Sequence, residues 1–176
     1  VLADTIPFMG EMPTGSRWAV AVLAGAILVE DDAVYVGIAL DFWRLTDTNG
    51  DEVLDTKESL ATGFMVHIGF GGHGMSGAVR GPDGKLYWGI GDIGASITAA
   101  DGSKHHYPNQ GVIVRCNTDG SNFEVFAHGT SNPWGVDFDK HGEAFATACV
   151  IPHLYHIIPG ARYQRQAGQH FNAYTY

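Results

Sequence analysis

Apolar stretches in this chain are short, and turn-forming residues interrupt them before any helical spacing is sustained. One pattern recurs three times: an acidic or glycine-bearing pair, then a brief apolar run around a central aromatic residue. The copies are Asp31-Asp32-Ala33-Val34-Tyr35-Val36, Asp83-Gly84-Lys85-Leu86-Tyr87-Trp88 and His141-Gly142-Glu143-Ala144-Phe145-Ala146. Their aromatics, Tyr35, Tyr87 and Phe145, stand 52 and 58 residues apart. Runs of this length between turn residues predict strands. A strand-like run precedes each copy (18–23, 77–80, 135–138), and another follows it (42–45, 112–115, 154–158). A fourth is visible twice, at 60–64 and 123–127.

Four short strands per repeat at a period of about 50 residues predict propeller blades. The expected fold is all-β, a partial β-propeller of four-stranded blades with about three blades present. It spans residues 1–176 in repeats of roughly 13–64, 74–129 and 131–176. A β-sandwich with coincidental repeats is the competing architecture. Gly81-Pro82-Asp83-Gly84 supports a hairpin turn, because Pro presets φ and Gly accepts positive φ. Residues 93–110, with His105, His106 and Pro108, read as an insertion in the second blade, of a length that tends to be functional.

Composition narrows the function classes. The 24 glycines among 176 residues exceed the usual ~7% and suit a chain dense in turns. With 10 Lys+Arg against 19 Asp+Glu, the net charge is −9 and no basic stripe exists, which argues against nucleic-acid binding. The apolar run 18–29 is 12 residues long, short of the ~20 needed to span a bilayer. Asp4 and Glu11 ahead of it are wrong for a signal peptide. It reads as buried strand, and the chain as an internal segment of a longer protein. Cys116 and Cys149 form no CxxC motif and are expected to be small core residues, with a disulfide left open.

Three motifs bear on chemistry. Asp47-Thr48-Asn49-Gly50-Asp51-Glu52-Val53-Leu54-Asp55-Thr56-Lys57-Glu58 places side-chain oxygens at positions 1, 3, 5, 9 and 12 of a calcium loop, through Asp47, Asn49, Asp51, Asp55 and Glu58. Val53 would add its carbonyl; Glu52 stands where the sharp turn usually takes Gly. The alternative is a solvated acidic hairpin. Gly69-Phe70-Gly71-Gly72-His73-Gly74 contains G-x-G-x-x-G, but a strand pattern follows it instead of a helix, which excludes a dinucleotide site. Most of the nine histidines fit structural positions. His73, in flexible glycine surroundings that admit a ligand, stands apart.

The stretch His73 to Gly94, with its G-P-D turn and Gly91-Asp92-Ile93-Gly94, resembles the pyrroloquinoline-quinone (PQQ)-dependent sugar dehydrogenases of the soluble glucose dehydrogenase type. The similarity continues through Gly111-Val112-Ile113-Val114-Arg115, Asn117-Thr118-Asp119-Gly120-Ser121 and Asn132-Pro133-Trp134-Gly135-Val136-Asp137-Phe138. It persists more weakly at Pro159-Gly160-Ala161-Arg162-Tyr163, and covers about 100 residues in order. The first 60 residues look more like a membrane-bound dehydrogenase subgroup that often carries a fused c-type haem domain. The resemblance implies a six-bladed propeller that oxidises a sugar or other alcohol in the periplasm or another extracytoplasmic space. It implies His73 as general base and PQQ and calcium as cofactors. Asn132, Gly91 and Asp92 would form the cofactor pocket, and a c-type cytochrome domain would accept electrons. It also marks departures. Ser131 stands where the family has the arginine that pairs with a quinone carboxylate, Gly72 where it has an acid, and 148–153 lack its acidic Gly-rich stretch. His105, His106 and Arg80 are the candidates to replace the lost charge. The alternatives are a non-catalytic propeller that binds carbohydrate or a protein partner through an eroded quinone site, and a hydrolase such as a lactonase.

Overall fold

The computed structural model describes residues 24–38, 40–64, 74–92, 94–108, 110–149, 153–165 and 174–175. Among these the chain is all-β, with thirteen strands in three antiparallel sheets. No described helix is long and apolar enough to cross a membrane.

The first sheet begins as a meander of β1 (Ala24–Val29), β2 (Val34–Ile38), β3 (Asp41–Thr46) and β4 (Thr56–Phe64). The second has the order β10-β9-β6-β5, built from β5 (Met75–Arg80), β6 (Leu86–Ile90), β9 (Val112–Cys116) and β10 (Glu124–His128). The third comprises β11 (Pro133–Phe138), β12 (Ala144–Ala148) and β13 (Leu154–Ile157). The three repeat copies thus lead into β2, β6 and β12. The strand expected at 18–23 lies outside the described residues, and the partner of β2 is β1, registered Val29↔Val34 to Ala24↔Ile38.

The insertion is not a loop. It folds into a hairpin of β7 (Gly94–Ala99) and β8 (Lys104–Pro108), and β7 joins the first sheet by pairing with β4 (Ala61↔Ala99, Thr62↔Thr98, Phe64↔Ala95). A segment that leaves the second sheet therefore extends the first to six strands. Its tip is tied back, because Ala100 N–H donates to the Leu60 carbonyl (2.9 Å) and Asn122 N–H to Asp101 Oδ2 (3.0 Å).

Strand β6 shows why the sheets stack. Its five residues are all buried, as expected for a central strand covered on both faces. Successive side chains point to opposite faces. Trp88 stacks on Phe42 of the first sheet (centroids 4.2 Å, 13°) and meets Phe64 and Phe123 edge-on. Tyr87 on the other face meets Phe126 and Phe138 edge-on at 5.1 and 4.9 Å, the latter from the third sheet. Two neighbouring residues thereby bind one blade to both its neighbours. Cys116 and Cys149 are free thiols; Cys116 is fully buried, which pushes its pKa up to about 12.

Candidate functional site

The edge strands β1, β5 and β11 come together because small residues let their backbones approach. A Cβ at Gly25 would stand 2.0 Å from the Met75 carbonyl oxygen, and one at Gly77 (φ +59°) would stand 2.5 Å from Gly135 Cα. Ser76 Oγ donates a short hydrogen bond to the Pro133 carbonyl, joining β5 to β11.

Past the ends of these strands, five segments meet. Gly91 N–H donates to the Gly74 carbonyl (3.1 Å), and Gly94 N–H to the Gly91 carbonyl (3.0 Å), closing a tight turn with Asp92 at its corner. Asp92 Oδ1 accepts the Asn132 N–H at 3.0 Å. The Asn132 carbonyl accepts from Cys149 N–H (3.2 Å), and the Gly111 carbonyl from Gly129 N–H (2.8 Å). Gly111 must be small, since a Cβ there would lie 2.9 Å from the Gly129 oxygen and 3.4 Å from Asp92 Oδ1.

The polar character of this cluster is unusual for its burial. Among the described residues the buried polar side chains are Ser76, Thr130, Ser131 and Asn132, and all four belong to it. The connection between β10 and β11 is also strained. Gly129, Thr130 and Asn132 take φ of +95°, +60° and +48°, a region costly for residues with a Cβ. Backbone strain of this kind concentrates at functional sites. Thr130 Oγ1 is buried with no hydrogen-bond partner among the described residues.

Of the residues expected here, Gly91, Asp92 and Asn132 converge. His73 lies outside the described residues; its neighbour Gly74 is the residue bonded to Gly91. Sequence reasoning missed Ser76, Gly111, Thr130 and Cys149. The tract Gly129-Thr130-Ser131-Asn132-Pro133, four turn formers ahead of a proline, was the available signal for Thr130.

The charges named as substitutes for an arginine are engaged elsewhere. Arg80 Nε donates to Glu30 Oε1 (2.5 Å) and NH1 to the Gly84 carbonyl (2.8 Å); its bond to Glu30 raises the guanidinium pKa and lowers that of Glu30. His106 Nδ1 pairs with Ser96 Oγ (2.8 Å), and His105 Nε2 with Ser103 Oγ (2.9 Å) on the β7–β8 hairpin. Among the described residues, the side chains bonded into this wall are one carboxylate, Asp92, and uncharged groups, and Ser131, at the position where the resembled family has arginine, is buried. Those groups by themselves lack the charge-assisted donors that a tricarboxylate quinone calls for.

The acidic loop lies apart, between β3 and β4. Asp47 accepts from the N–H groups of Gly50 (2.7 Å), Glu52 (2.8 Å) and Asn49 (3.1 Å), which hold its carboxyl below the usual range. Asn49 and Asp51 cap the N–H groups of Asp51 and Val53, and Asp55 accepts from the Thr48 N–H and hydroxyl. Glu52, at the position that usually takes Gly, does adopt φ +68°. Glu58 instead lies opposite Arg44 on β3, in an ion pair of 4.0 Å. Among the described residues no three acidic, His or Cys side chains gather as a metal-holding group. As arranged, the loop is organised by its own N–H donors.

Blade-like sheets arranged side by side define a propeller arc, and a solved structure carries the same fold. The PQQ-bound form of aldose sugar dehydrogenase from Streptomyces coelicolor is 23% identical, with a TM-score of 0.56 over 76% of this chain. This chain spans 43% of that structure. The family model described as "Domain of unknown function (DUF7133)" matches residues 21–175, so the chain belongs to that family. No curated protein matches the sequence.

Proposed function

We propose that this chain supplies one wall of the active site of a propeller dehydrogenase that oxidises a sugar or another alcohol, with His73 as general base. The supporting observation is the bonded series Gly74–Gly91, Asp92–Asn132. It ties the residue after His73, the glycine turn and the asparagine of the resemblance into one cluster, where the buried polar groups of the described chain collect. The aldose sugar dehydrogenase likeness supports the same reaction class.

On this reading His73 takes the hydroxyl proton, a role suited to imidazole because its pKa lies near neutral pH. The carbon-bound hydrogen leaves as a hydride to a two-electron organic acceptor bound by the full-length protein, which is then reoxidised one electron at a time. Asn132 orients the substrate or the acceptor through its amide. A c-type haem domain, as the resemblance implies, would receive the electrons, in an extracytoplasmic compartment. The test is dye-linked oxidation of aldoses and simple alcohols by the full-length protein, with PQQ and calcium supplied. Replacing a general base costs about 10²–10⁴-fold in rate, so His73→Ala should be slower by that factor. Equal rates would remove His73 from the chemistry.

A second reading has its own observation. The uncharged and acidic wall around Ser131 suits a neutral polyhydroxy ligand better than a quinone tricarboxylate. A non-catalytic propeller that binds carbohydrate would show sugar binding by calorimetry with no turnover under any supplementation.

A further inference from the structure

We propose that Asp92 is a positioning residue: it fixes the backbone of Asn132 and reaches a ligand only through that asparagine. The inference rests on the reading of Asn132 as the ligand-facing group. Asp92 stands at the corner of the 91–94 turn, which is itself anchored by Gly91 N–H to the Gly74 carbonyl and closed by Gly94 at φ +74°. From this platform Oδ1 accepts the Asn132 N–H across the boundary between the second and third sheets. The opposite end of Asn132 is held as well, its carbonyl accepting from Cys149 N–H at 3.2 Å.

The restraint has something to restrain. Asn132 sits at φ +48°, and Thr130 just before it at φ +60°. Such conformations in residues with a Cβ persist only where the surroundings over-determine them. Both main-chain groups of Asn132 are consumed in this way, so the direction of its side chain follows from a backbone that Asp92 holds. Glycine at 111 keeps the approach clear, with a Cβ there 3.4 Å from the same Oδ1. What the geometry demands of residue 92 is an acceptor oxygen at one place, not a negative charge. Asparagine offers that oxygen; alanine does not.

A double-mutant cycle on the full-length protein decides this. Asp92→Ala should lower the unfolding midpoint, while Asp92→Asn should stay close to wild type. In an Asn132→Gly background the effect of Asp92→Ala should shrink, because glycine adopts positive φ without help. Additive effects in the cycle would overturn the proposal. In oxidation assays Asp92→Ala should lose about tenfold or more in kcat/KM, as a misplaced contact does, with Asp92→Asn within about threefold of wild type. Equal losses in the two variants would mean that the charge itself meets the ligand, and would also overturn it. The unfolding cycle needs no turnover. A protein that oxidises nothing would refute the dehydrogenase reading and leave the role of Asp92 to be judged on the cycle.

Discussion

His128 ends β10 as the last residue before the strained 129–132 segment, with its N–H donating to the Ala161 carbonyl and its carbonyl accepting from Tyr163 N–H. The ring is half-buried, and Nδ1 has no hydrogen-bond partner among the described residues. Burial, and then the nearby Arg162 charge, hold its pKa below the ordinary 6.5. The sign follows by linkage. Below pH 6.5 the unfolded chain takes up a proton that the folded chain resists, so stability falls as the pH drops from there toward the folded-state pKa. Glu30 and Glu124 act in a separate window. Hydrogen bonds from Arg80 and Lys85 lower their pKa below 4.5, and the stability they add is lost only as the pH falls through those lowered values. His128→Gln should therefore flatten urea-unfolding stability between pH 7 and 5 relative to wild type. Identical slopes would assign that dependence to other groups. At this scale the sequence disclosed residue types but not their company. Asn132, Gly91 and Asp92 were singled out through a resemblance, and the 129–133 tract signals a turn at Thr130; that Thr130 and Ser76 are buried was not legible, because burial of a small hydroxyl depends on a neighbouring blade that no local pattern encodes.

Among the elements, the repeat copies were legible because β2, β6 and β12 each have a turn before them and an apolar centre. The β7–β8 hairpin was not. Its sequence, with small residues at the start and two histidines near the end, carries no sign that β7 would pair with β4, more than 30 residues upstream. Non-local pairing is set by the edge that the first sheet leaves open, which must be covered or blunted; Lys104 and Pro108 on β8 blunt the new edge. In the β3–β4 connection the acidic spacing serves the backbone turns directly. Asp47 satisfies three N–H groups of its own loop. Asp47→Ala should therefore lower the thermal midpoint of the full-length protein by the same amount in excess calcium and in a chelator. A loss seen only with calcium present would restore the metal as the organiser of this loop.

Across the whole molecule, the third sheet turns one face to the second, and its other face is exposed among the described residues. Ala144, Ala146 and Ile157 pack toward Tyr87, Ile113 and Phe126 in one buried cluster. On the opposite face Leu154 stands in register with Thr147, and Phe145 with His156, whose ring stacks on it and bonds Glu143 at 2.8 Å. Leu154 is 64% exposed, far beyond what a blade interior tolerates. In a propeller this is the face on which the next blade packs, and the chain accounts for only 43% of the structure it resembles. Two measurements on Leu154→Ser should then diverge in sign. In the 176-residue chain expressed alone, the substitution removes an exposed apolar group and should reduce self-association, read by sedimentation. In the full-length protein it uncovers a buried contact and should cost about 1.5–3 kcal/mol of unfolding free energy. If stability were unchanged in the full-length protein, no blade would cover this face, and the three sheets would be an open arc in their working form.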